Sequence, residues 1–269
     1  MFQLFKPQIS SYRTHTWFAP LCWLTLASGI FLLVFTELLP YGHALDKLIS
    51  DQIYDPLAKR FILNVPDGSI KFWLYSGLKN VLLCIPIYAL VQIVVGAYLR
   101  FKGSLNKAQR QAWLRWCMIF TSILLATSLI SLLKKLTNQA CPWHITDYGG
   151  LWPYVDLFTQ RPWPARSMQC WPGGHASGGF ALMIIAMVGG WPAAVWTTTQ
   201  MKQSSWRSAR FWLWASLALG TIMGFTQLGM GAHYFSHQWW TLWWVLAFNL
   251  LFVWCCRHVL WFNNYWFNQ

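Results

Sequence analysis

Trp171-Pro172-Gly173-Gly174-His175-Ala176-Ser177-Gly178-Gly179-Phe180 is where a polar loop turns into an apolar run that continues to Thr198. Two glycines behind a proline let the backbone turn sharply, and the helix that starts there adds unpaired N–H groups and the positive end of its dipole. Such a helix start is a cradle for an anion, phosphate above all. His175 stands beside it, where an imidazole can exchange a proton with an oxyanion. The plainer reading of the same ten residues is a glycine-rich helix start with a surface histidine, and the rest of the chain has to choose.

Working outward, the run from His175 to Thr198 is one of six. The others are Trp17 to Pro40, Phe72 to Tyr98, Ala112 to Leu133, Phe211 to Ala232 and Trp239 to Cys256, each long enough to cross a bilayer. Hydrophobic residues make up 56% of the 269 and charged ones 10%, with 21 Trp, far from the soluble average. The expected fold is all-α: a polytopic membrane protein of six transmembrane helices, forming one membrane-embedded domain over 1–269 with its motif-bearing core at about 134–240. The first run is too long for a signal-peptide core and has no small-residue cleavage site, so it is expected to be a retained span.

Charge predicts the orientation. Lys6, Arg13, Arg100, Lys102, Lys107, Arg110, Arg115, Lys202, Arg207, Arg210 and Arg257 fall on the side of the termini and the even-numbered connections. Glu37, Asp46, Asp51, Asp55, Asp67, Asp147 and Asp156 fall at or in the opposite segments. The positive-inside rule puts both termini in the cytoplasm. The net charge of +13 is thereby a matter of topology and lipid-surface attraction, and no nucleic-acid partner is expected.

Two outward segments follow. In residues 41–71, Leu45, Leu48, Ile49 and Ile53 alternate with Asp46, Lys47 and Asp51 at roughly helical spacing, which fits either an amphipathic helix on the membrane surface or a solvated connector. The stretch from Lys134 to Gly174 is longer than a connection needs to be and carries Lys134, Lys135, Arg161 and Arg166, so it reads as a functional loop with cations for an anion. Cys141 and Cys170 share this loop, whereas Cys22, Cys84, Cys117, Cys255 and Cys256 lie in or at the ends of spans. A disulfide between Cys141 and Cys170 is expected, contributing about 3 kcal/mol on the chain-entropy model.

A second histidine cluster closes the fifth run: Gly229-Met230-Gly231-Ala232-His233-Tyr234-Phe235-Ser236-His237. Two imidazoles four apart share a helical face, which suits a metal or a pair of backbone-bonded structural histidines. The glutamate of the zinc-hydrolase pattern is absent.

Three ordered motifs resemble the type 2 phosphatidic acid phosphatase superfamily, whose membrane branch has six helices. The family pattern is Lys-x6-Arg-Pro, Pro-Ser-Gly-His and Ser-Arg-x5-His-x3-Asp. Here it reads Lys134-x6-Cys141-Pro142, Pro172-Gly173-Gly174-His175 and Thr226-Gln227-x5-His233-x3-His237. Cys141-Pro142-Trp143 and Gly231-Ala232-His233-x2-Ser236-His237 are similar to a bacterial branch that includes sequences resembling lipid A phosphatases.

The resemblance implies roles. His233 is the expected nucleophile and forms a phosphohistidine; His175 is the proton donor to the leaving group. Lys134 and the amides of Gly173 and Gly174 hold the phosphoryl oxygens, and His237 replaces the aspartate that orients the nucleophile. Cys141 and Gln227 stand where the family has arginines, so Arg161, Arg166 and Lys135 are the candidate substitutes. Asp147 and Asp156 are alternative orienting groups, or solvated loop acids. Gly220 and Gly224 read as a close helix contact, and Lys79 as a cation snorkelling at a span end.

The expected protein is an integral membrane lipid phosphatase of a bacterial inner membrane, multi-pass, with its site facing the periplasm and with neither metal nor cofactor required. Candidate substrates are lipid A, undecaprenyl pyrophosphate, phosphatidic acid and phosphatidylglycerophosphate. The competing classes are a lipid phosphotransferase of the same family, a transporter and a non-catalytic membrane protein. Against the transporter, the runs carry almost no central ionisable residues.

Overall fold

The structure, a computed structural model, describes residues 18–65, 68–69, 71–164, 167–196 and 206–267. Its long elements are α1 (Phe18–Leu32), α2 (Pro40–Ile53), α3 (Leu78–Phe101), α4 (Lys107–Thr137), α5 (Gly174–Ala181), α6 (Met183–Met187), α7 (Trp206–Gly229) and α8 (Phe235–Phe267). An apolar run offers its backbone no polar side chains and, in lipid, no water, so it closes its own hydrogen bonds as helix. Among the described residues, five segments are long and apolar enough to cross a membrane: Ala19–Leu38, Phe72–Phe101, Lys107–His144, Arg207–Gly229 and Phe235–Cys256.

The remaining expected span, His175 to Thr198, differs. Its apolar helix runs only from Gly174 to Met187. Gly189 and Gly190 follow at φ 96° and 93°, left-handed conformations that stop a helix. At about 1.5 Å per residue such a helix reaches roughly 21 Å, short of a hydrocarbon core of about 30 Å. Residues 197–198 of that run lie outside the described residues.

The short helix is central. α5 packs against α4, α7 and α8, burying Ala176, Phe180 and Ala181. Gly179 of α5 lies so close to Gly220 of α7 that a Cβ on it would collide with the Gly220 backbone, the close helix approach read from Gly220 in the sequence. The fixed position of α5 is what puts its N-terminus at one end of the bundle.

The loop from Asn138 to Gly173 is folded over that end. α4 closes on Asn138 in the left-handed conformation at φ 48°. The Asn138 side chain donates to Pro164 O (3.0 Å) and accepts from Met168 N (2.9 Å), and Trp163 Nε1 donates to the Asn138 carbonyl (2.8 Å). One asparagine therefore pins both ends of a turn. Cys170 N–H then donates to Gln139 O (3.0 Å).

Within the 41–71 segment, Pro40–Ile53 forms the helix α2, which packs on its neighbours through one face. α2 lies across the start of α8, and Asp46, 5% exposed, accepts from Ser236 N–H (2.8 Å) and Ser236 Oγ (2.5 Å). Lys47 reaches Asp147 at 2.5 Å and tethers α2 to the long loop. A two-residue antiparallel pair, Tyr54–Asp55 with Arg60–Phe61, follows; Phe61 packs with Ile145, Tyr148, Trp163 and Tyr234 in a second core beneath this cap. The physical reason is that the first N–H groups of α8 need acceptors, and a carboxylate on a packed neighbour supplies one at the favourable end of the dipole.

Candidate active site

Three backbone breaks at one end of the bundle meet around a cavity of about 720 Å³: the last turn of α4, the start of α5, and the turn between α7 and α8. The cavity is lined by Lys79, Lys134, Lys135, Gly174, His175, Gln227 and His233, with Leu82, Leu83, Pro86, Phe120, Ile123 and Leu124 of α3 and α4 on its apolar side. Among the described residues, no acidic one lines it. Three lysines thus line the cavity, one of them, Lys134, beside a helix N-terminus, a combination suited to an anion.

Gly174 shows how tightly the cations are set. A Cβ there would stand 3.1 Å from Lys134 Nζ and 3.2 Å from its Cδ. The missing side chain leaves the Lys134 ammonium lying over the first residue of α5. Ser177 Oγ donates back to Gly174 O (2.6 Å), which fixes the first turn.

Gly173 departs from its expected role. Its N–H donates to His237 O (3.3 Å) and its carbonyl accepts from Thr241 Oγ (3.0 Å). That amide ties the start of α5 to α8.

His233 and His237 are each 4% exposed. Burial, then the nearby Lys134 ammonium and the His237 ring, push the His233 pKa well below its ordinary value. His233 is accordingly a neutral imidazole with a lone pair on one nitrogen, the form a nucleophile needs. Its Nδ1 faces Cys170 Sγ at 3.5 Å. The rings of His233 and His237 stand 5.9 Å apart at 66°, and Nδ1 of His237 is buried with no hydrogen-bond partner among the described residues. The direct contact expected between the two imidazoles is replaced by shared proximity to Cys170.

Cys170 is disulfide-bonded to Cys141, Cα to Cα 5.1 Å. Its sulfur and one nitrogen from each of His233 and His237 lie within 4.8 Å of one another, the spacing of a metal-ligand trio. With the sulfur tied to Cys141, the trio offers two imidazoles, one fewer than the three protein ligands of a usual catalytic zinc.

The substitute cations separate. Lys135 lines the site cavity and also an adjacent one of about 740 Å³ that contains Arg161. Arg161 is not at the site cavity: its guanidinium donates to the carbonyls of Asp156 (2.6 Å), Leu157 (2.5 Å) and Thr159. Arg166 lies outside the described residues. Gln227, 4% exposed, lines the site cavity and donates toward Met230 Sδ at 3.9 Å. Lys79, read from sequence as a snorkelling cation, is at the cavity. Asp147 is paired with Lys47, whereas Asp46, which the sequence reading passed over, reaches the histidine-bearing helix through Ser236.

No curated protein and no solved structure matches the chain. Its second half is recognisable all the same: residues 115–261, more than half of the chain and including Lys134, His175 and His233, match the model of the PAP2 superfamily. The chain belongs to the PAP2 superfamily, whose members are generally phosphatases.

Proposed function

We propose that the protein is an integral membrane lipid phosphatase that hydrolyses a phosphomonoester or pyrophosphate through a phosphohistidine on His233. The observation that carries this reading is that His175 on α5 and His233 in the α7–α8 turn, far apart in sequence, line one cavity with Lys134. With Nδ1 of His233 against Cys170, Nε2 is the nitrogen that attacks phosphorus; the N–P bond forms as the P–O bond to the leaving group breaks. His175 protonates the leaving oxygen, then takes a proton from the water that cleaves the N–P bond. Lys134 and the first amides of α5 hold the phosphoryl oxygens as charge develops on them.

Two features support a lipid as the substrate. Five helices are long and apolar enough to cross a membrane, and the wall of the cavity formed by α3 and α4 is apolar from Leu82 to Leu124, a surface for an alkyl chain whose phosphate sits at the histidines. The distribution of Lys and Arg favours a site on the extracytoplasmic side, which in a bacterial inner membrane is periplasmic. Lipid A, undecaprenyl pyrophosphate, phosphatidic acid and phosphatidylglycerophosphate all carry a phosphate that lateral diffusion brings to that depth.

The test is phosphate release from these four lipids by purified, detergent-solubilised protein in EDTA. The expected result is release from at least one, lost in His233→Ala, with an acid-labile phosphoryl adduct on the wild-type chain. Full turnover by His233→Ala would overturn the assignment, and activity abolished by the chelator would replace it with a metal mechanism.

A further inference from the structure

We propose that the Cys141–Cys170 disulfide is the positioning device for the nucleophile: it takes the part of the missing family aspartate, and turnover depends on its being closed. The proposal rests on His233 being the nucleophile.

Members with the family pattern orient the nucleophilic imidazole with an aspartate four residues on; here that residue is His237, and among the described residues neither His233 nor His237 is hydrogen-bonded to a carboxylate. What touches Nδ1 of His233 is Cys170 Sγ at 3.5 Å, and the same sulfur lies 2.9 Å from the carbonyl of Ala232, the residue just before the nucleophile. Cys170 is buried completely. Its own place is set by the bond to Cys141 and by its N–H on Gln139 O.

The other end of the disulfide is anchored in the same neighbourhood. Cys141 stands in the position where the family pattern has its first arginine. Its N–H donates to His144 Nδ1 (3.2 Å), and Trp143 N–H, two residues on, donates to Gly231 O (3.2 Å) in the turn that carries His233. Cys141, Cys170 and the α7–α8 turn thus form a closed frame with His233 inside it. An arginine that would have touched the phosphate has been replaced by a covalent tie that holds the group attacking it.

Opening the frame has a defined chemistry. A dithiol such as dithiothreitol delivers two electrons and two protons to the S–S bond, giving two thiols and its own cyclic disulfide. Sulfurs held at about 2.05 Å when bonded move apart to non-bonded contact at about 3.5–4 Å. Sγ of Cys170 gains a proton and a rotatable side chain, directly against Nδ1 of His233. An imidazole displaced by about 1 Å loses on the order of 100-fold in rate while the phosphate pocket made by Lys134 and α5 is untouched.

The experiment uses the full-length enzyme in detergent with the lipid it turns over fastest. The protein is assayed oxidised and after dithiothreitol, with alkylation and mass analysis confirming that Cys141 and Cys170 were opened. The expected result is kcat lower by at least tenfold with KM within about twofold. Cys141→Ser/Cys170→Ser should show the same low kcat and no response to reductant, while Cys84→Ser, which removes an exposed cysteine on α3, should respond as wild type does. A reduced, alkylated enzyme with unchanged kcat would overturn the proposal. So would a change confined to melting temperature, since that is what a disulfide serving only the loop would produce. Should the double serine variant fail to fold, reduction of the native enzyme decides alone. Activity absent from the oxidised enzyme on every lipid would sink the phosphatase reading; activity present but indifferent to reduction sinks only this inference.

Discussion

The two helices whose starts flank the histidines begin in opposite ways. α5 starts at Gly174 behind a glycine N-cap with no side chain to offer, and its first turn opens on the cavity beside Lys134. α8 starts at Phe235 under α2, with Asp46 accepting from the Ser236 amide and hydroxyl. Both starts carry the same unpaired donors and the same dipole. One start faces the cavity, and the other is covered by the Asp46 carboxyl of α2. In the proposed reaction the cavity-facing end is the one that receives the phosphate, and the covered end is the mount for His237 and the turn that holds His233.

The comparison breaks most readily at the imidazoles. His233→Ala should lower kcat by about 10³-fold or more and abolish the phosphoryl adduct, and His175→Ala by about 10²- to 10⁴-fold with the adduct still detectable under a good leaving group. Rapid-quench assay of phosphate and adduct separates the two. Equal effects on adduct formation would erase the distinction between nucleophile and acid.

Gly174→Ala sharpens the open end. A Cβ at 3.1 Å from Lys134 Nζ forces the ammonium aside, and kcat/KM should fall about tenfold, equivalent to about 1.4 kcal/mol of transition-state binding. Steady-state kinetics with unchanged kcat/KM would mean that the ammonium and the helix start do not act together.

Asp46 sharpens the closed end. Asp46→Ala strands two buried donors and should cost about 1–3 kcal/mol of stability, read as a lower melting temperature in detergent. The pH dependence has a sign. Burial raises the Asp46 pKa from 3.8 to about 7. Between those values the folded protein binds more protons than the unfolded chain, so this group makes stability fall as pH rises from about 4 to about 7. His233, whose pKa is depressed, acts oppositely and removes stability as pH falls below about 6.5. Asp46→Asn should therefore flatten the loss of melting temperature between pH 5 and 7 while leaving the acid-side loss in place. An identical slope in the variant would show that Asp46 is not the titrating group.

The smallest effect is expected at Arg161→Ala, within about twofold in kcat/KM, because its guanidinium serves the carbonyls of its own loop. A loss comparable to that at Lys134 would move Arg161 into the phosphate site and redraw the cavity.

Much of the site was legible in the sequence for a local reason. Pro172-Gly173-Gly174-His175 and His233-x3-His237 carry their chemistry in their spacing, and the apolar runs between them had little choice but helix. Asp46 was not legible: it alternates with leucines in an amphipathic stretch, where an acid belongs to the wet face, and only the start of α8 lying across that face turns it inward. Arg161 failed for the converse reason. A cation in the long loop looks like a phosphate ligand, but this guanidinium is engaged by three carbonyls of its own turn. The shortness of α5 was hidden too, since the Gly189-Gly190 break is followed by more apolar residues that look like continued span.

Composition and periodicity by themselves determined that this chain forms long apolar helices and that histidines, glycines and lysines cluster at the ends of some of them. Tertiary structure alone decided which helix ends stay open, which cations reach the cavity, and that a disulfide lies against His233. The reason is that a backbone N–H or a buried imidazole is satisfied by whatever packs across from it, and residues 40 or 190 positions away in the chain give no local sign that they will be the partner.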